Sequence, residues 1–174
     1  MMFFKRSAAL VIAGASLAIV AAALVGPNSG SLLSSVFEEE VRNSLSGRVG
    51  VDGPILVVKI DDTKMAHPQI GIEYADIVYI EQVEGGLTRL AAVFSSEIPR
   101  EIGPVRSARV SDMELLSQFG KVGFAYSGAQ SKLRPALAAA NLENASAERN
   151  PATIYTTDPT RVQPYAMVLR ADLL

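Results

Sequence analysis

The chain opens with an uninterrupted apolar stretch. Residues 7–26 carry no charged side chain, and the cations Lys5 and Arg6 come directly before them. Such a stretch is long enough to span a bilayer once as a helix, and the positive charges before it favour a cytoplasmic N-terminus. We therefore predict an N-terminal transmembrane or signal helix, with the rest of the chain outside the cytoplasm. Small residues at 21–23 could form a signal-peptidase site, so secretion after cleavage is the alternative to a single-pass anchor in the cell membrane.

A polar region separates this stretch from the globular part. We assign residues 1–30 to the signal anchor and the start of a linker. Residues 31–53 are predicted to be a juxtamembrane linker in which the charged stretch 36–47 could form a short helix. The extracytoplasmic domain is predicted to occupy residues 54–174.

Apolar runs predict strands in the first half of the domain. Residues 55–60 are apolar and β-branched apart from one lysine, which is typical of a buried strand. Two alternating runs, 75–83 and 87–94, flank the sequence Glu-Gly-Gly, which is typical of a β-hairpin. The register of the first hairpin strand stays open, because Ile77, Tyr79 and either Gln82 or Val83 compete for one face.

Helical spacing dominates the second half. Apolar residues in 107–120 recur every three or four positions and end at a glycine, which predicts an amphipathic helix capped by Ser107 or Ser111. The further predicted elements are a strand over 121–127, a helix over 128–142 that a proline starts or interrupts, a strand over 151–157 and a helix over 158–174 with Asp158 as its N-cap. The alternation predicts an α/β fold in which helices pack on a mixed β-sheet.

Composition excludes several kinds of functional site. The chain contains no cysteine and a single histidine, His67, so disulfides, thiolate chemistry and multi-histidine metal clusters are excluded. The net charge of −2 argues against a nucleic-acid-binding protein. We therefore predict no metal site, no cofactor and no nucleic-acid partner, and any recognition of an anion has to be local.

Guanidinium groups concentrate beside the Gly103–Pro104 pair. Arg106 and Arg109 are three residues apart, so they would share one face of a helix, near an N-terminus whose dipole favours anions. Arginine forks bind carboxylates and phosphates, and the candidate anion-binding residues are Arg89, Arg106, Ser107 and Arg109. The alternatives are a catalytic role and internal ion pairs with nearby carboxylates, namely Asp61, Asp62, Asp76, Glu81 or Glu84.

Secondary candidates lie at predicted strand ends. Lys59, Asp61 and Asp62 end the first strand, where α/β sheets often hold functional groups, although a solvated strand end gives the same pattern. Ser127 follows a predicted strand and precedes a helix, as in a nucleophile elbow, but the Gly-x-Ser-x-Gly pattern is absent. We assign no catalytic residue.

In the order of its motifs, the chain resembles the YerB-like family of bacterial lipoproteins, whose N-terminal domain has no assigned function. The resemblance extends from Pro54 to Arg161 and is carried by the Ile-Leu-Val-Val-Lys-Ile-Asp-Asp strand, the Glu-Gly-Gly-x-Thr-Arg turn and the Gly-Pro-Val-Arg-Ser-Ala-Arg element. It implies a domain attached to the outer side of the membrane.

Three departures from this family are expected to matter. Pro27 stands where the lipid-bearing cysteine would follow Leu-Val-Gly. The Pro-His-Asn-Leu-Tyr run usual in the family corresponds to Pro-Ala-Thr-Ile-Tyr at 151–155, so a histidine and an asparagine are missing. The second domain of longer members is also expected to be absent.

These observations favour a membrane-anchored extracytoplasmic binding or accessory domain of the bacterial cell envelope that is not catalytic. Its expected partners are the membrane, through the N-terminal helix, and a membrane-protein complex or an envelope polymer. It would recognise an anionic group or a membrane-protein partner. The alternative is a hydrolase or transferase acting on an anionic envelope substrate, with the arginines stabilising charge and Asp61 or Asp62 as base.

Overall fold

The computed structural model of the chain describes residues 40–174. The predicted signal or transmembrane helix and the assignment of residues 1–30 lie outside the described residues, as does Pro27. Within residues 40–174, no helix combines the length and the apolar character needed to cross a membrane.

Strands outnumber helices in the described part of the chain. The strands are β1 (Leu56–Asp61), β2 (Ile77–Gln82), β3 (Thr88–Phe94), β4 (Glu101–Ile102), β5 (Val122–Ala125), β6 (Leu142–Asn144), β7 (Tyr155–Thr157) and β8 (Met167–Arg170). The α-helices are α1 (Ser111–Ser117) and α2 (Arg134–Ala139). Short 3-10 turns connect several of these elements.

The described strands form two sheets. The central sheet has the order β2-β3-β1-β5-β6, in which β1 and β2 are antiparallel to β3, β5 is parallel to β1, and β6 is parallel to β5. The small sheet is antiparallel and has the order β4-β8-β7. The predicted mixed sheet with packed helices is therefore confirmed, whereas the small sheet was not predicted.

Side chains of the central sheet alternate between two apolar layers, as they must along extended strands. On one face, Ile60 and Phe94 pack with Ile102 and Leu169 of the small sheet. The opposite face packs against the helices, and its buried members include Val57 and Phe124 with Leu116 of α1 and Leu137 of α2. The central sheet is thus covered by the small sheet on one side and by helices on the other.

The predicted hairpin is confirmed. β2 and β3 pair from Ile77 opposite Val93 to Gln82 opposite Thr88, and residues 84–86 form the turn. Gly85 and Gly86 both have a φ of 73°, a left-handed conformation that residues with side chains rarely adopt. The buried residue of β2 is Glu81, which lies on the helix side of the sheet. Because this buried position is charged, the pattern of apolar residues alone does not determine the register of the strand.

The predicted helix over 107–120 is wrong in its first turn. Helix α1 begins only at Ser111, and residues 106–109 are irregular. Their backbone is used by neighbouring strands instead: the Arg106 amide donates to the Lys59 carbonyl (2.8 Å) and the Ser127 amide donates to the Arg106 carbonyl (2.9 Å). Neither predicted serine cap forms, because Ser107 precedes the helix by several residues and the Ser111 hydroxyl donates to Glu81.

The predicted helix over 158–174 is also wrong. Residues 167–170 form strand β8, which pairs with both β4 and β7, and a 3-10 turn follows at 171–173. The carboxylate of Asp158 accepts from the Thr160 amide (2.8 Å), so it closes a turn and does not cap a helix. Pairing with two strands outweighs the local helical signals here.

The predicted helix over 128–142 is shorter than expected. It reduces to a 3-10 turn at 131–133 followed by α2, whose first turn contains Pro135, and its last predicted residue begins β6. The predicted strand over 151–157 is confirmed for its last part only, as β7.

The domain begins earlier than the predicted boundary at residue 54. The compact unit starts at Val41, and the predicted helix over 36–47 is absent from residue 40 onward. Arg42 instead forms an antiparallel bridge with Val49. The buried Asn43 side chain donates to the Ser95 hydroxyl (3.2 Å), and this contact ties part of the predicted linker to the end of β3.

Two leucines distinguish the observed C-terminal strand from the predicted helix. Leu169 is 0% exposed and Leu173 is 50% exposed, although positions four apart would share one face of a helix. Leu169→Ala is expected to lower the free energy of unfolding by about 2–5 kcal/mol, because it leaves a cavity between the sheets. Leu173→Ala should change it by only about 0.5 kcal/mol. Urea unfolding of the full-length variants in mild detergent measures both, and equal losses would contradict the strand.

Candidate functional site

The predicted site residues collect where β1 and β5 separate. β1 pairs with β5 only over Leu56–Val58. Beyond that point the segment around Val105 lies beside β1, bridging to Ile60, and the Asp61 amide donates to the Pro104 carbonyl (3.0 Å). The place where β1 and β5 separate, which the segment around Val105 occupies, therefore lies at the carboxyl ends of parallel strands. Sheets of this kind often hold functional groups there.

Glycine is required at the turn that leads to the place where β1 and β5 separate. A side chain at Gly103 would meet the Met167 carbonyl oxygen at 2.9 Å and the Val168 Cα at 3.4 Å. The absence of a Cβ lets the Gly103–Pro104 turn lie directly on β8. This contact places the following arginines against β1 and not farther from the sheet.

We call the group formed by Arg89, Arg106, Ser107, Arg109 and Ser127 the arginine corner. Four of these five residues lie on two segments, 106–109 and 127, that hydrogen-bond to each other through backbone groups. Arg89 comes from β3, where it lies directly opposite Asp61 of β1 and Glu81 of β2. Residues opposite each other in a sheet project to the same face, so these three side chains point towards the helices.

Arg106 has an internal partner. Its Nε lies 2.6 Å from Oδ2 of the buried Asp61, in the geometry of an ion pair and not of a hydrogen bond. The guanidinium also stacks over the Tyr165 ring at 5.8 Å, a cation–π distance. Asp61 additionally accepts from the amide (2.7 Å) and hydroxyl (2.5 Å) of Thr63. A carboxylate held in this way is poorly suited to act as a general base.

Arg109 pairs at the surface. Its Nε donates to Glu84 Oε2 (2.9 Å), and its NH1 group donates to the carbonyls of Ala108 (2.9 Å) and Ser107 (3.3 Å). Glu84 belongs to the hairpin turn, and its side chain is 62% exposed. A hydrogen bond from its own backbone, together with Arg109, holds the pKa of Glu84 below its ordinary range.

Arg89 differs from both neighbours because it is buried without a carboxylate partner. Only 8% of the residue is exposed, and its NH1 group donates to the Ser107 carbonyl (2.7 Å). Among residues 40–174, no carboxylate oxygen lies within 4.0 Å of its guanidinium nitrogens. Burial and the positive charges of Arg109 and Arg106 lower the pKa of Arg89. An unpaired buried charge is costly, which makes Arg89 the unusual member of the corner.

The two serines of the corner contact each other. Their Oγ atoms are 3.4 Å apart, and the Ser107 carbonyl accepts from both Arg89 and Arg109. Within the described residues, no basic side chain lies at hydrogen-bonding distance from either hydroxyl. This geometry does not support Ser127 as an activated nucleophile.

Lys59, a secondary candidate, is fully buried, so the interpretation of a solvated strand end is wrong for it and for Asp61. Its Nζ lies 2.7 Å from Asp112 Oδ1 and also binds Glu81. Lys59, Glu81 and Asp112, which we call the lysine triad, join β1, β2 and α1. Asp112 Oδ2 accepts from the Arg109 amide (2.6 Å), so the triad also fixes the backbone at Arg109.

Burial and hydrogen bonding act in opposite directions on the pKa values of the two carboxylates in the lysine triad. Burial, with a smaller contribution from Glu81, raises the pKa of Asp112 from its ordinary 3.8 to about 6, against the effect of Lys59. Burial would also raise the pKa of Glu81, but hydrogen bonds from Lys59 and Ser111 outweigh it and lower that pKa.

Asp62 is not brought into the corner. Its carboxylate accepts from the Thr88 hydroxyl (2.6 Å) and lies 3.3 Å from His67 Nε2, at the end of the central sheet. No group of three or more histidine, aspartate or glutamate side chains suited to a metal ion is found within residues 40–174.

Sequence reasoning missed two residues of this region. Asp112 is absent from the predicted candidates, although it is a buried partner of Lys59, 53 positions away. Tyr165 was placed in a C-terminal helix, although its ring covers Arg106. A carboxylate three positions after Arg109 was the available signal for Asp112, but it is common at helix starts.

Comparison with known proteins gives consistent matches. Residues 45–174 match the N-terminal domain of the protein of unknown function DUF3048. The chain is 41% identical, over 69 residues, to the "Putative lipoprotein YerB" of Bacillus subtilis (strain 168), a stretch that covers 40% of this chain and 20% of the relative. The crystal structure of the YerB protein from Bacillus subtilis superposes with a TM-score of 0.68 and 25% identity, covering 76% of this chain and 47% of that one. The chain thus spans less than half the length of these relatives.

The buried triad predicts a pH dependence of stability. Because the pKa of Asp112 is raised to about 6, the folded protein retains a proton near pH 5 that the unfolded chain has largely released. The stability contributed by this proton is therefore present at low pH and is lost as the pH rises to about 6. Asp112→Asn removes the titration while keeping the side-chain size.

Thermal unfolding of the full-length wild type and Asp112→Asn between pH 4 and pH 7 measures this contribution. The difference obtained by subtracting the melting temperature of Asp112→Asn from that of the wild type is expected to fall between pH 4 and pH 6 and then level off. Glu143→Gln, which removes an exposed carboxylate paired with Lys121, should leave the profile unchanged. A constant difference between wild type and Asp112→Asn across this range would contradict the assignment.

Proposed function

This chain belongs to the family of the DUF3048 N-terminal domain, and we propose that it is a non-catalytic extracytoplasmic binding or accessory domain of the bacterial cell envelope. In this proposal, the arginine corner recognises an anionic group on an envelope polymer or on a membrane-protein partner. The N-terminal helix anchors the chain as a single-pass protein, with secretion after cleavage as the alternative.

Location outside the cytoplasm is supported from two sides. A matched relative carries the name of a lipoprotein, which is a class of envelope-associated proteins. The apolar residues 7–26 behind two cations provide the export signal in the sequence itself. Anchoring by the helix replaces anchoring by lipid in this proposal, because Pro27 carries no thiol.

The observation that carries the anion-binding proposal is the buried guanidinium of Arg89, which has no carboxylate partner among residues 40–174. Arg106 and Arg109 lower its pKa instead of compensating its charge. A ligand oxyanion would supply the missing acceptor, and charge-assisted hydrogen bonds from guanidinium groups are among the stronger polar contacts in proteins. The Ser107 carbonyl accepts from Arg89, and the Ser107 hydroxyl lies 3.4 Å from that of Ser127.

The geometry gives less support to the hydrolase or transferase. A base is required for that chemistry, and Asp61 is occupied by Arg106 and Thr63. Asp62, the other candidate base, is directed to Thr88 at the sheet end. The conclusion we draw from the corner is therefore recognition of an anion without turnover.

Removal of the Arg89 charge tests the proposal. Binding of acetate and of inorganic phosphate to the full-length chain in mild detergent is measured by isothermal titration calorimetry. Arg89→Gln is expected to weaken binding of the preferred anion by about tenfold or more, which is the usual effect of losing a hydrogen bond to a charged group. Arg134→Gln removes an exposed guanidinium paired with Glu148 outside the corner and should leave binding unchanged.

A second variant separates binding from folding, because Arg89 is buried. Arg109 is more accessible, and Arg109→Gln should also weaken binding while the melting temperature stays near that of the wild type. Equal affinities of the wild type, Arg109→Gln and Arg134→Gln for both anions, or no binding of either anion to the wild type, would refute the proposal.

A further inference from the structure

The protein already holds a carboxylate against the arginine corner, and it comes from its own hairpin turn. Arg109 Nε donates to Glu84 Oε2 at 2.9 Å. Arg89 and Arg109 donate to the same Ser107 carbonyl, which places their guanidinium groups side by side. Glu84 thus binds one of two adjacent guanidinium groups and leaves the other, Arg89, without a carboxylate.

Glu84 is able to leave this position without disturbing the core. Its side chain is mostly exposed, and the two glycines that follow it have nothing within 4 Å of the position a Cβ would take. Exposed ion pairs are also weak, because solvent screens them. A ligand that offers a better acceptor can therefore displace Glu84 at little cost.

The charges around the corner favour a monoanion. In the described part of the chain, the corner and the lysine triad contain equal numbers of cations and carboxylates, namely Lys59, Arg89, Arg106 and Arg109, and Asp61, Glu81, Glu84 and Asp112. A bound carboxylate that replaces Glu84 keeps this balance, whereas a phosphate dianion leaves one negative charge in excess. The second charge would have to be buried beside Asp61 without a cation of its own.

We infer that the group recognised at the arginine corner is a carboxylate, and that Glu84 occupies its place in the free protein. This inference rests on the proposed function. On binding, the ligand carboxylate takes the Arg109 Nε from Glu84 and reaches Arg89, and Glu84 moves into solvent with its turn. Glu84 is therefore an internal competitor, which lowers the affinity for carboxylates.

The test compares three anions on two forms of the full-length chain in mild detergent. The probes are N-acetylglycine, which represents a peptide carboxyl terminus, glucuronate, which represents an acidic sugar, and inorganic phosphate, all at one ionic strength and at pH 8.5, where phosphate is a dianion. Glu84→Gln removes the competing charge and keeps the side-chain size. It is expected to bind the preferred carboxylate about threefold more tightly than the wild type does, in line with the modest strength of exposed ion pairs.

Glu148→Gln is the matched control. Glu148 also forms a surface pair with an arginine, Arg134, at 2.7 Å, but it lies outside the corner, so this variant should bind all three probes as the wild type does. Tighter binding of N-acetylglycine than of glucuronate, or the reverse, identifies the source of the carboxylate, and both results support the inference.

Two outcomes overturn the inference and leave the proposed function standing. The first is tighter binding of phosphate than of both carboxylates to the wild type and Glu84→Gln. The second is carboxylate binding of equal strength to Glu84→Gln and the wild type. If no probe binds to either form, the proposed function fails, and the inference fails with it.

Discussion

The buried ammonium group of Lys59 constrains more of this structure than any other single group. It lies inside the central sheet, on the face covered by helices, where an unpaired charge would be strongly unfavourable. Its partners Glu81 and Asp112 come from β2 and α1, so the edge strand and the helix are held to β1 at the same point. Because Asp112 also binds the Arg109 amide, the position of the arginine segment depends on this ionic contact. The lysine triad therefore links the stability of the sheet to the geometry of the candidate site.

Local signals were sufficient for the first part of the domain. The apolar run of β1 and the two runs around Glu84, Gly85 and Gly86 predicted strands and a hairpin, because short-range pairing and glycine conformation determine them. The start of α1 and the strand β8 could not be found in this way. In both segments the backbone bonds to a strand that is distant along the chain, namely β1 for Arg106 and β4 for β8, so pairing outweighs local helical propensity.

The sequence predicted which residues form the candidate site better than it predicted how they are arranged. Arg89, Arg106, Ser107 and Arg109 lie together as expected, and internal pairs form for Arg106 with Asp61 and for Arg109 with Glu84. The expected reason for their proximity, a shared helix face, is incorrect, because both arginines lie on the irregular segment 106–109, which hydrogen-bonds to β1. The isolation of Arg89 could not be read from the sequence, which places several carboxylates within plausible reach. The register of β1, β2 and β3 places Asp61 and Glu81 opposite Arg89. Both carboxylates nevertheless pair with other cations, Arg106 and Lys59.

The small sheet has a consequence for the order in which the domain is built. β8 pairs with the nearby β7 and with β4, which lies far earlier in the chain, and Tyr165 of the segment before β8 covers Arg106. Contacts between distant segments form late, since the intervening chain must first be ordered. A chain that ends before Tyr165 would leave Arg106 without the ring that covers it. The arrangement around Arg106 is therefore complete only when the last strand of the domain is in place.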